Sequence, residues 1–127
     1  MILLVDDDHA MTDICAMLLM AHGYDVVVAN SASDALSIIS SHRVELLISD
    51  CAMPRKSGLE LIHELRAGEK TRAIPILLMS GTEEGNVTGS RNYDGFLTKP
   101  FPAQELLAHV RRLLPPGPPD PGAKPED

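Results

Sequence analysis

The sequence predicts one α/β domain, a doubly wound five-stranded parallel sheet with helices on both faces, and three observations carry that prediction. Short apolar runs alternate with amphipathic stretches along the chain, as they do where strands and covering helices follow one another. The 127 residues are 44% apolar, enough for one core and too few for two ordinary domains. The apolar runs are also far shorter than the roughly 20 residues that cross a bilayer.

Five strands are read, in order, at Ile2 to Val5, Asp25 to Ala29, Glu45 to Ser49, Ile76 to Met79 and Gly95 to Thr98. The first, third and fourth are apolar enough to lie in the middle of a parallel sheet, and the second and fifth read as its edges. A first helix follows in "HAMTDICAMLLMAHG", with Met11, Ile14, Cys15, Leu18 and Leu19 on one stripe and Gly23 as a left-handed C-terminal cap. In "SASDALSIIS", Ser31 precedes Asp34 by three residues as a weaker relative of the capping box, and Ala35, Leu36 and Ile39 give the inner face of a second helix. The third, "GLELIHELRAG", sets Leu59, Ile62 and Leu65 in register with Leu61 at the edge. The last begins at Pro102 and turns Leu106, Leu107, Val110 and Leu114 inward.

Between the fourth and fifth strands, "GTEEGNVTGSRNYDG" has four glycines and only Val87 and Tyr93 as large apolar or aromatic residues. A fourth helix there is predicted to be short, irregular or absent. From Pro115 onward the chain has six prolines and no large apolar side chain. That composition predicts a domain over 1–114 and a disordered Pro-rich tail or linker over 115–127.

A net charge of -7 argues against a nucleic-acid surface, which needs a Lys/Arg surplus, and suits cation binding instead. Cys15 and Cys51 stand at no metal-ligand spacing and read as reduced thiols. "MILLVDDD" has neither a basic leader region nor a cleavage site. The expectation is a soluble, cytoplasmic domain without membrane insertion.

In an open parallel sheet, ligands bind beyond the carboxyl ends of the strands. Asp6, Asp7 and Asp8 leave the first strand, Asp50 the third, Ser80 the fourth and Lys99 the fifth. Any one of these is an ordinary loop-starting residue; four strand ends presenting carboxylates, a hydroxyl and an ammonium together make a site. Clustered carboxylates need a compensating cation, and their hard oxygens suit Mg²⁺ or Mn²⁺. Lys99 supplies a fixed positive charge for an arriving anion, and Asp50 can act as nucleophile in aspartyl-phosphate chemistry.

With these residues in place, the sequence from about Met1 to Leu114 resembles the receiver domain of two-component response regulators. The matching motifs are "VDDDH", "DCAMPRKSG", "SG" and "KPF". The resemblance implies a flavodoxin-like sheet of strand order 2-1-3-4-5, and a phosphorelay switch that accepts a phosphoryl group on Asp50 from the phosphohistidine of a histidine kinase or phosphotransfer protein. It implies that Asp6 and Asp7 hold Mg²⁺ with Asp50 and the Ala52 carbonyl, Asp7 directly and Asp6 largely through water. Asp8 caps the first helix. Met53, Pro54 and Gly58 shape the loop after Asp50, Lys99 binds a phosphoryl oxygen, and Pro100 follows a cis peptide. Such a domain catalyses its own phosphorylation and dephosphorylation while acting mainly as a signalling switch. Ser80 is the hydroxyl that moves toward the phosphoryl group and Phe96 the aromatic that follows it, without the phenolic hydroxyl of a tyrosine. Ala52 and Thr82, both uncharged, stand where such domains tune water access, and Gly81 leaves the acceptor open.

Two features depart from the pattern. The 19 positions from Ser80 to Lys99 are fewer than expected, which puts in question an output or dimer face made of the fourth helix, fifth strand and fifth helix. The 13 residues after Leu114 are expected to hold no effector domain, as in a stand-alone receiver or a piece of a hybrid histidine kinase or larger regulator. His9, His22, His42, His63 and His109 are scattered, which leaves the phosphodonor histidine to a partner. A degenerate receiver used only for protein contacts is the main competing reading. An aspartate phosphatase is disfavoured by Ala52, where a second acid is needed, and a flavin carrier by aspartates that repel phosphate.

Overall fold

A computed structural model describes residues 1–53, 55–82 and 92–114. The expectations for 83–91, for Pro54 and for 115–127 lie outside the described residues. The elements are β1 (Ile2–Val5), α1 (His9–Ala21), β2 (Val26–Ala29), α2 (Ala32–Ser41), β3 (Leu46–Asp50), α3 (Gly58–Ala67), β4 (Ile76–Ser80), β5 (Gly95–Thr98) and α4 (Ala103–Leu113). The strands form one parallel sheet of order β2-β1-β3-β4-β5. The expected strand order therefore holds, and the helix read last in the sequence is α4.

Side chains of a strand alternate between faces, so each strand serves two cores. Leu4, Ile48, Leu77 and Leu97 pack with Cys15, Leu19, Leu106 and Val110 of α1 and α4. Leu3, Leu47, Ile76 and Leu78 pack with Ala35, Leu61, Ile62 and Leu65 of α2 and α3. β1, β3 and β4 are buried throughout, whereas β2 and β5 are covered less completely. Fully burying each such Leu or Ile contributes about 1.5–3 kcal/mol.

The N-termini of α1, α2 and α3 are capped by side chains as their sequences direct. Asp8 caps α1 by accepting from the Met11 amide at 3.2 Å. At the other end Tyr24 N–H reaches the Leu19 carbonyl and Gly23 N–H the Met20 carbonyl, with Gly23 at φ +88°; this is a complete Schellman closure. Ser31 caps α2 through the Asp34 amide. Ser57 and Glu60 form a full capping box on α3, a signal in "SGLE" that the periodicity reading passed over.

Four expectations are corrected. β3 extends through Asp50 and β4 through Ser80, while β2 begins at Val26 and β3 at Leu46, because the ladder pairs Asp50 with Met79 and Ser80 with Thr98. Ile14 does not face the core: it is 67% exposed, and the buried stripe of α1 is Thr12, Cys15, Ala16 and Leu19. Thr12 tolerates burial because its hydroxyl donates to the His9 carbonyl. In α3, Leu61 is fully buried and Leu59 only partly. Gly58 sets that rotation, since a Cβ there would lie 2.0 Å from the Asp50 carbonyl oxygen; with position 58 against the sheet, 61, 62 and 65 follow at helical spacing. Leu114 is a half-buried cap residue rather than a core position.

Arg66 fastens the lower end of this layer. Its guanidinium donates to the carbonyls of Arg72 and Ile74, both at 2.7 Å, and of Asn92 at 2.9 Å, and it pairs with Asp94 at 2.8 Å. α3 is thereby tied to the chain entering β4 and β5. No helix among the described residues is long and apolar enough to cross a membrane.

Candidate functional site

The alternation that builds the two cores also collects the site. Asp6, Asp50 and Lys99 continue, past the apolar rows, the positions of Leu4, Ile48 and Leu97 that face α1 and α4. Asp6 is 1% exposed and Asp50 7%, yet neither is left uncompensated. The Lys99 ammonium donates to Asp6 Oδ2 at 2.7 Å and lies 3.1 Å from Asp50 Oδ1. Asp6 Oδ1 accepts from the Asp8 amide at 3.0 Å, and the Asp6 carbonyl accepts from the Asn30 side-chain amide at 2.9 Å. Asp7 is exposed at the rim.

Carboxylate oxygens of Asp6, Asp7 and Asp50 all lie within 4.8 Å of one another. Three hard oxygen donors so close fit a small divalent cation, with the exposed rim leaving room for water. Ala52 is exposed in the loop just past them.

Electrostatics divide the ion pair unequally. Burial raises the Asp50 carboxyl above its ordinary range; the Lys99 hydrogen bond pulls it back, but the charges of Asp6 and Asp7 push with burial, and the net shift is upward. Burial alone would lower the Lys99 ammonium, yet hydrogen bonds to Asp6 and Asp50 outweigh it and hold the cation charged. A buried, crowded carboxylate beside a fixed cation is a group primed to exchange its neighbours.

Ser80, 5% exposed at the end of β4, accepts a hydrogen bond from the Thr82 amide at 3.0 Å. Its carbonyl accepts from the Lys99 amide at 2.6 Å, which fixes the start of the next loop, where the Lys99–Pro100 peptide is cis. A Cβ on Gly81 would meet nothing within 4 Å, and Thr82 is exposed. Met53 is buried, and Arg55 turns the chain at φ +70° on the way to α3. Phe96 is half-buried against the α2/α3 core, its ring 5.7 Å from that of Tyr93.

All the sequence-predicted acids and Lys99 thus meet at one point, and Asp8 takes its capping place. Ser80 and Phe96 lie on the other side of the sheet. Sequence reasoning missed Asn30, although it follows β2 as Asp6 follows β1.

Comparison with known proteins agrees with this arrangement. The chain is 39% identical over 114 residues to the transcriptional regulatory protein CpxR of Klebsiella pneumoniae, covering 89% of this chain and 48% of that protein. It is 37% identical over 123 residues to the response regulator MprA of Mycolicibacterium vanbaalenii, covering 96% and 53%. The chain spans about half the length of these curated relatives. The solved structure of the chemotaxis response regulator CheY4 of Vibrio cholerae superposes with a TM-score of 0.82 at 29% identity, covering 89% of this chain and 97% of that one. The sequence pattern of the response regulator receiver domain matches residues 2–111, a span that holds every described strand, α1 to α3, all but the last two residues of α4 and the whole acidic site. On that match the chain belongs to the receiver domain family of the response regulators of two-component systems.

Proposed function

We propose that the domain accepts a phosphoryl group on Asp50 from the phosphohistidine of a histidine kinase or phosphotransfer protein, in a Mg²⁺-dependent reaction, and so switches a protein-interaction surface. The observation that carries this reading is the Lys99 ammonium bridging Asp6 and Asp50 beside three carboxylates within 4.8 Å. Asp6, Asp7 and Asp50 with the Ala52 carbonyl would hold the cation. When bound, Mg²⁺, or Mn²⁺ in its place, supplies neutralisation of the crowded acids and of phosphoryl oxygens.

The chain's own groups do the rest. An Asp50 carboxylate oxygen attacks phosphorus and forms the acyl-phosphate bond; the donor's P–N bond breaks and its electron pair returns to the imidazole, which takes a proton from solvent. Lys99 turns from the carboxylate to a phosphoryl oxygen, and the Ser80 hydroxyl binds another. Movement of Ser80 opens space on the α2/α3 side, which Phe96 enters. Ala52 and Thr82 bring no charged group to the acceptor, so the acyl phosphate is hydrolysed at a rate set by water access.

The donor reaches this site from the α1 side. A groove of about 460 Å³ lies beside Lys99, lined by Met11, Ile14, Leu18, Phe101 and Leu106, and Ile14, Met17 and Met20 are exposed along α1. An apolar surface adjoining a reactive carboxylate suits a helical protein donor. The receiver unit is assigned to 1–114, with 115–127 a Pro-rich tail or linker on composition.

Intact mass after incubation with acetyl phosphate and Mg²⁺ tests the reading. One added phosphoryl mass, lost without Mg²⁺ and in Asp50→Ala, is expected. No addition under any condition overturns the phosphorylation reading and leaves a binding module on the receiver fold.

A further inference from the structure

The three clustered acids are not held alike. Lys99 fixes the Asp6 and Asp50 carboxylates directly. The Asp7 carboxylate, exposed at the rim, has no hydrogen bond or ion pair among the described residues, yet one of its oxygens lies within 4.8 Å of oxygens from both of the others. Its aim is therefore set by the two peptides that flank it. The Asp7–Asp8 peptide is held by the Asp8 N–H, which donates to Asp6 Oδ1 at 3.0 Å. The Asp6–Asp7 peptide is held by its carbonyl, which accepts from Asn30 Nδ2 at 2.9 Å. A carbonyl can only accept, so chemistry settles which end of the Asn30 amide faces it.

That bond replaces a rung of the sheet. The β1–β2 ladder runs to Val5 and Ala29, and the Asp6 N–H still reaches the Ala29 carbonyl at 3.2 Å. One further parallel rung would send the Ser31 N–H to the Asp6 carbonyl. The chain instead turns at Ser31, whose side chain caps α2, and the Asn30 side chain supplies the missing donor. Asp6 is buried, so without Asn30 its carbonyl would lack a partner and the peptide would turn toward another one.

We propose that Asn30 is a positioning residue: by fixing the Asp6–Asp7 peptide, it aims the Asp7 carboxylate at the cation site between Asp6 and Asp50. The inference rests on the reading of these acids as a Mg²⁺ site. Asn30 is not itself a ligand. It spares Asp7 the reorientation that binding a cation would otherwise require, as partners standing behind a metal ligand do.

Calorimetric titration of the metal-free protein with Mg²⁺ alone tests this. Asn30→Ala is expected to weaken Mg²⁺ binding about tenfold, the low end for loss of a group that orients a metal ligand. Asn30→Leu, similar in size but without a donor, is expected to do the same and serves alone if Asn30→Ala melts too early. Val28→Ala loosens the packing of β2 against α1 and α4 without touching the Asp6 carbonyl, and is expected to keep the wild-type Kd. This control separates aiming from stability, since lost packing lowers the melting temperature but leaves the Kd of the folded chain alone. An unchanged Kd in the Asn30 variants, or an equal weakening in Val28→Ala, overturns the proposal. Wild-type protein that binds no Mg²⁺ overturns the cation reading, and the role of Asn30 falls with it.

Discussion

The middle of the sheet and its carboxyl edge are equally buried and chemically opposite. Ile48 is 0% exposed and Asp6 1%, yet the first meets hydrocarbon and the second meets Lys99, the Asp8 backbone amide, the Asn30 side-chain amide and other acids. In the middle rows each residue gains by leaving water, and the neighbours are interchangeable in kind. At the edge each carboxylate loses its hydration and is held by one cation shared between two of them. Stability is thus concentrated in the rows, and at the edge it is given up in return for reactivity. Substitutions in the two regions should therefore differ in sign as well as in size.

The largest effect belongs to the rows. Leu47 is fully buried between β1 and β4 on the α2/α3 side, and Leu47→Ala should cost about 3 kcal/mol through lost transfer energy and a residual cavity. Urea unfolding measures this; a loss under 1 kcal/mol would mean that the core collapses around the gap.

At the edge, a cation should add what the rows cannot. Mg²⁺ at a hundredfold excess over its Kd should stabilise the fold by about 2.7 kcal/mol by mass action. Asp7→Ala removes the exposed carboxylate of the three and should abolish most of that gain while leaving the metal-free melting temperature unchanged or slightly higher. Melting curves with and without Mg²⁺ decide it: an Mg²⁺ shift surviving in Asp7→Ala would remove Asp7 from the ligand set.

The sign reverses at Asp50. Its folded pKa is raised above the unfolded value, chiefly by burial, so the folded chain holds that proton more tightly. The cost of the charged carboxylate is fully present above the folded pKa and is relieved as pH falls through it. Asp50→Asn should therefore stabilise the metal-free protein at pH 7, by on the order of 1 kcal/mol. The advantage should shrink toward pH 4. A destabilised Asp50→Asn at pH 7 would show that the Lys99 pair outweighs burial.

How much of this was legible in the chain follows from what each signal encodes. Alternation and strand ends named Asp6, Asp7, Asp50, Ser80 and Lys99 because the parallel sheet fixes where its carboxyl ends lie, and parity alone puts Asp6, Asp50 and Lys99 on one face and Ser80 on the other. Strand order came from the resemblance, since periodicity says nothing of neighbours. The rotation of α1 was misread because Thr12 and Ala16 are small and do not register as apolar, although small residues are what let a helix approach a sheet. The rotation of α3 hangs on Gly58 touching the Asp50 backbone, a tertiary contact with no local trace. Asn30 and Arg66 act through partners 24 and up to 28 positions away; only the finished fold brings those partners together.

The smallest stability effect should come from α1, where the misread residue separates folding from recognition. Leu19 is fully buried, and Ile14, on the same helix, is 67% exposed. Ile14→Lys removes an apolar side chain that already stands in water, so it should move stability by no more than about 0.5 kcal/mol. The groove beside Lys99 would nevertheless lose an apolar wall and gain a charge. Phosphorylation by acetyl phosphate, which needs no docking surface, should keep its rate, whereas transfer from a phosphorylated histidine-phosphotransfer protein should slow by about tenfold, the scale of one modest interface residue. If both rates fall together, the row of Ile14, Met17 and Met20 shapes the site itself; if neither falls, the donor enters over another face and the exposed row on α1 has no part in phosphotransfer.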